Sequence, residues 1–152
     1  MKSTLTRKNP GATARINAQF LALARLEVAQ GWTDQQDPDD VTIAAINYFG
    51  SEDGAHPPPR DALAPAVETT KDAAIRAGIA AGRSANRGAL DKSGLETLAK
   101  DAGENLKSEI RAFDSPGNAR STIAAKGFNN PLIGVGGGRI LDSAGAILRD
   151  RR

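Results

Sequence analysis

The stretch with the strongest look of chemistry runs Asn129-Asn130-Pro131-Leu132-Ile133-Gly134-Val135-Gly136-Gly137-Gly138-Arg139-Ile140-Leu141-Asp142-Ser143. Clustered glycines can cradle a phosphate on bare backbone N–H groups. A dinucleotide turn needs Gly-x-Gly-x-x-Gly, and after Gly134 and Gly136 the third place is taken by Arg139. A P-loop needs Gly-Lys followed by Ser or Thr, which the cluster lacks. The glycines therefore read as a tight structural turn. His56 is the only histidine, lies beside Pro57-Pro58-Pro59, and has no serine in a strained turn next to it, so it reads as a surface residue. Asp34, Asp37, Asp39 and Asp40 fail the spacing of a calcium loop and read as solvated turn residues. Arg149, Arg151 and Arg152 offer a basic patch of the kind that is usually just solvated.

Composition narrows the classes further. The chain has 152 residues, enough for one domain that buries its own core. It has no cysteine, which removes disulfides, thiolate metal sites and thiol nucleophiles. The net charge is +2 with lysines and arginines interspersed among acids, and 4% of residues are aromatic, a poor match to a dedicated nucleic-acid binder. The first residues carry charge without an apolar run behind them, and no apolar stretch is long enough to span a bilayer, so the expectation is a soluble protein without a signal peptide. No cofactor and no metal are expected.

The elements that must hold these residues are mostly helical. Residues 1–11 read as a flexible arm, followed by one domain over 12–152. A short helix from Ala12 carries Ile16, Phe20 and Leu23 on one stripe, and Leu26 to Trp32 alternates like a half-buried strand. After the acidic turn, Asp40 is expected to cap a helix over Val41 to Phe49 that Gly50 ends, with a strand as the alternative because of its β-branched residues. Ser51 to Pro59 is a loop stiffened by prolines. A helix over Ala62 to Asn86 sets Val67, Ile75 and Ile79 on one side, and Gly78 and Gly82 suggest a close helix contact. Ser93 and Glu96 form a capping box for a second helix, whose stripe of Leu95, Leu98, Ala99, Ala102, Leu106, Ile110 and Phe113 ends at Asp114-Ser115-Pro116-Gly117. Ala144 to Arg149 reads as a closing strand. The expected fold class is α+β: a small, mainly antiparallel sheet packed against two central helices, with long loops and an extended N-terminal arm.

Several motifs stand in an order that carries more information than any one of them. They are Asn47-Tyr48-Phe49-Gly50-Ser51, Pro58-Pro59-Arg60, Thr122-Ile123-Ala124-Ala125-Lys126-Gly127-Phe128, Asn130-Pro131-Leu132-Ile133 and Arg139-Ile140-Leu141-Asp142-Ser143. In this order, over about Leu26 to Leu148, the chain resembles the neck and tail-completion proteins of tailed bacteriophages. It departs from them at Tyr48, where the family has glutamate, and at Asp61 and Ala62, which replace Pro-Phe. It departs again at Gly134-Val135-Gly136, where the family has Asp-Thr-Gly, with two further glycines before Arg139.

The resemblance implies a structural virion protein rather than an enzyme: a homo-oligomeric ring at the head-tail junction that joins head to tail and continues the DNA channel. A hexamer is favoured and a dodecamer is the second choice. The partners implied are further copies, the connector or head-closure protein, the tail terminator or tail tube, and DNA passing without sequence-specific contact, with no membrane. The protein would be made in the host cytoplasm and end in the neck or tail of the virion. A ring subunit mates through two different faces, and the expected interface residues are Tyr48, Phe49, His56, Pro58, Pro59, Arg60, Lys126, Phe128, Leu132 and Arg139. For Arg60, a bidentate bond to an adjoining chain and a pairing inside its own domain weigh equally. The rival readings are a tail-assembly factor not retained in the particle, and a DNA-binding module using the basic termini.

Overall fold

A computed structural model describes residues 10–33, 35–50, 58–134 and 138–151. The order is α1 (Pro10–Ala24), β1 (Leu26–Gly31), α2 (Pro38–Phe49), α3 (Leu63–Asn86), α4 (Ser93–Ala112), α5 (Arg120–Lys126), α6 (Arg139–Ser143) and β2 (Gly145–Asp150). The fold is α+β, with a two-stranded antiparallel sheet packed on the α3–α4 hairpin. Its register runs from Leu26 opposite Asp150 to Gly31 opposite Gly145. Glu27 therefore faces Arg149, whose Nε approaches Glu27 Oε1 at 2.6 Å.

Helix α4 is the centre because its apolar stripe meets neighbours all along its length. Leu106 and Ile110 have no exposed surface, and with Ala62, Ala66, Leu132, Ile140 and Ala144 they form one core cluster. Ala81, Leu95 and Leu98 form a second, joined by Leu23, Val28 and Leu148 from α1 and the sheet. Gly103 is where α4 meets β2: a Cβ placed there would stand 3.1 Å from the backbone nitrogen of Ala146. The strand can lie this close only because position 103 has no side chain. Gln30 Nε2 donates to Ala102 O at 2.7 Å, fixing β1 to the same turn of the helix.

Several local expectations shift. The arm does not extend to residue 11, since Pro10 and Gly11 open α1; residues 1–9 lie outside the described set. Helix α2, and not a strand, covers 41–49, but it starts earlier: Asp37 is the N-cap, its carboxylate accepting from Asp39 N at 2.8 Å, with Pro38 in the first turn. Proline suits that place because the first-turn N–H groups lack helical partners. Asp40 is thereby freed for another contact, and it is not a solvated turn residue. The capping box at Ser93 and Glu96 does not form; the carboxylate of Asp91 accepts from Ser93 N at 2.9 Å instead. Asp61 serves α3 the same way, accepting from Leu63 N and Ala64 N.

The largest correction concerns α3. Its buried residues are Ala66, Thr70, Ala81, Ser84 and Ala85, while Val67, Ile75 and Ile79 are half exposed. Small side chains let α3 sit close to α4, and the bulky residues are left facing outward. Gly78 and Gly82 make no close helix contact, since nothing lies within 4 Å of a Cβ built at either.

Replacing Gly103 by alanine is expected to cost about 1–3 kcal/mol through overpacking against β2. Gly94→Ala, where nothing lies within 4 Å, serves as the near-neutral control. Leu106→Ala should cost about 2–5 kcal/mol. Urea denaturation midpoints at constant slope check all three.

Candidate functional site

The residues expected at an interface come largely from one end of the molecule, where α2 ends and the segments after α4 fold back. Asn47 lies on the last turn of α2, and its Nδ2 donates to Ile43 O at 2.9 Å. Its Oδ1 remains to accept from Arg60 Nη1 at 3.2 Å, while Arg60 N donates to Asn47 O at 2.9 Å. The same Nη1 also donates to Pro131 O at 3.3 Å, so Arg60 ties α2 to a segment far along the chain. Arg60 thus pairs within its own domain. Its Nε is buried and has no partner among the described residues. Burial holds the guanidinium below its ordinary pKa.

Asn130 is the second anchor, and the sequence reading did not single it out as a site residue. Its Nδ2 donates to Ile110 O at 2.7 Å and Arg111 O at 3.0 Å, satisfying carbonyls at the end of α4. Its Oδ1 accepts from Leu132 N and Ile133 N, which makes the turn that sends Leu132 into the core. Asn before Pro was the available clue, because this pair initiates such turns. Gly127, at a left-handed φ of 79°, ends α5 and brings Phe128 back toward Lys126. Lys126 Nζ donates to Asn130 O at 2.8 Å and lies 4.7 Å from the centre of the Phe128 ring. Burial first, and the charge of Arg60 second, hold the ammonium below the ordinary lysine value of 10.5.

Arg139 opens α6 and sets its Nε 2.6 Å from Asp40 Oδ1. With Ile43, Lys126, Ile133 and Gly138 it lines a shallow cleft between α2 and α6. On the other side of α2, Tyr48 and Phe49 border an apolar cleft with Trp32, Val41 and Leu63. Their rings meet edge to face at 4.8 Å, and Phe49 is 73% exposed. Pro58 and Pro59 are exposed and Phe128 is partly so. Leu132 is not a surface residue: it is 4% exposed and belongs to the α4 core. His56, Val135, Gly136 and Gly137 lie outside the described residues.

The arrangement fastens its own segments to one another. The cations of Arg60 and Lys126 stand together, and their hydrogen bonds run mostly to backbone carbonyls. Among the described residues no group of three or more His, Asp or Glu side chains is placed to hold a metal ion, and no helix is long and apolar enough to cross a membrane. Comparison with family models, with curated proteins and with solved structures gives no match to this chain.

Asn130→Ala removes two donors from the end of α4 and the acceptor of a turn, and should cost on the order of 3 kcal/mol in chemical denaturation. Lys126 carries a pH dependence whose direction is fixed by its depressed pKa. The fold disfavours the charged form, so stability rises with pH between the depressed value and 10.5, where the unfolded chain holds the extra proton. Lys126→Met should abolish that rise while leaving the neutral-pH fold intact, and an NMR titration of Nζ should find a midpoint below that of a free lysine.

Proposed function

We propose that this chain is a structural component of the neck or tail-completion region of a tailed bacteriophage, working as a head-to-tail ring that joins the filled head to the tail and continues the DNA channel. The observation that carries the reading is the meeting of separated motifs at one end of the molecule. Asn47, Arg60, Lys126, Asn130, Pro131 and Arg139 stand far apart in sequence, and hydrogen bonds and a shared cleft draw them together. A chain that mates with neighbours needs such an end: rigidly built, partly apolar, with charge left to offer. Phe49 supplies an exposed aromatic anchor beside an apolar cleft.

The head-to-tail contact then uses two unlike patches, the Phe49 end of one copy and a different surface on the next, and closes when the rotation between copies divides a circle. Six copies match the symmetry of a tail tube, and twelve would match the portal side. DNA would pass along the axis without base readout.

The test is where the chain resides. Phage particles carrying an epitope-tagged copy should show the tag at the head-tail junction by immunogold and cryo-electron microscopy, with the local symmetry determined rather than imposed. Recovery of the tag only from unassembled fractions would turn the reading to an assembly factor. Phe49→Asp should leave the melting temperature within about 2 °C of wild type, since surface substitutions shift stability little. In infected cells it should leave heads and tails unjoined.

A further inference from the structure

Two cations beside the end of α2 stand without an acid. Lys126 Nζ donates to Asn130 O at 2.8 Å and Arg60 Nη1 donates to Pro131 O at 3.3 Å, so the ammonium and the guanidinium rest on the carbonyls of adjacent residues. The other partner of Arg60 Nη1, Asn47 Oδ1, is uncharged. Among the described residues no acid forms an ion pair with either cation. Asp40 is taken by Arg139, and Asp61 by the first N–H groups of α3. Like charges held side by side on neutral partners repel and give up hydration, and the lowered pKa of Lys126, from burial first and Arg60 second, reflects both costs.

Both cations keep donors to spare. An ammonium has three N–H groups, and a hydrogen bond uses one of those on Lys126. Arg60 Nη2 makes no hydrogen bond among the described residues and, unlike Nε, is not a buried orphan, so it reaches the surface. The surface beside them is apolar: Lys126 and Pro131 border the shallow cleft walled by Ile43, Ile133 and Ile140. The geometry points to a docking site for an acidic side chain of another polypeptide, its carboxylate placed between Arg60 Nη2 and Lys126 Nζ and its apolar neighbours lying against those isoleucines. Charge complementarity selects the carboxylate, whose two oxygens suit donors from two side chains. A phosphate, more heavily hydrated, would lose more at an apolar wall. Because the cleft is shallow, a small free acid would stay largely in water, whereas a segment of chain crossing it covers the isoleucines as well as the cations. The inference rests on reading this end of the molecule as a joint, and it names the chemistry of what is joined.

The test adds a blocked Leu-Glu-Leu peptide to the full chain and follows Lys126 Nζ by NMR. The peptide should shift the Nζ signal saturably and raise the Lys126 midpoint toward 10.5, because a carboxylate favours the charged form. Leu-Gln-Leu should do neither. Lys126→Met should weaken peptide binding by about tenfold, the size of one charge-assisted bond, and Lys126→Arg should retain it. Glu52 and Asp53 lie outside the described residues, and the chain carrying Glu52→Gln with Asp53→Asn should respond as the wild type does. A response confined to that variant assigns the site to the chain's own acids and overturns the proposal. So does equal binding of Leu-Gln-Leu, competition by hexanoate or inorganic phosphate as strong as that of the peptide itself, or no shift at any soluble peptide concentration. The tagged-particle experiment locates the chain whatever the peptide does, so the two readings can fail separately.

Discussion

Helix α4 and strand β2 approach until there is room only for backbone, and that contact at Gly103 governs the rest of the molecule. A two-stranded ribbon alone is marginal in water. Here its partners, β1 and β2, come from opposite ends of the described chain, so the ribbon has no tight turn to help it form. Its stability must come from the helix beneath. With α4 seated, Gln30 reaches Ala102 O from one strand, Trp32 Nε1 reaches Ile140 O at 3.0 Å from its end, and Leu98 and Leu148 share a cluster.

The same seating explains how the segments after α4 are placed. Once α4 stops at Ala112, its last carbonyls need donors, and the Asn130 amide supplies them. That fixes Pro131, whose carbonyl receives Arg60, and Arg60 in turn fastens the end of α2. One helix end is thus connected through two polar side chains to a helix that precedes it in sequence with all of α3 between them. Each of those bonds contributes only about 1 kcal/mol net, but losing a partner strands a half-buried group, which is more costly than the bond is favourable. The charged and aromatic residues at that end are therefore held as a set.

What the sequence made legible follows from the physics of each signal. The stripe on α4 was readable because leucine and isoleucine at helical spacing have one low-energy place to go, and the first strand was readable from the rough alternation of Leu26 to Trp32. Helix α3 misled because alanine packs well and also tolerates solvent. Its buried face is written in Ala66, Ala81 and Ala85, which a search for large residues passes over. The caps misled for a related reason: in Asp37-Pro38-Asp39-Asp40 and in Asp91-Lys92-Ser93 several side chains can accept the same N–H, and the winner depends on backbone angles that spacing does not encode. Asn130 was quoted in a motif but not weighed as a site residue, since an amide can bond backbone anywhere and only the fold says where.

The ribbon has a mechanical consequence. Its register places Leu26 against Asp150, and just beyond it Arg151 N donates to Arg25 O. Traction applied between residues 25 and 151 would therefore pull the strands apart from one end, rung after rung, rather than sliding them past each other with all rungs sharing the load. The rungs nearest Arg25 and Arg151 would carry the load first, so this end of the ribbon is a soft link under tension while remaining well packed at rest.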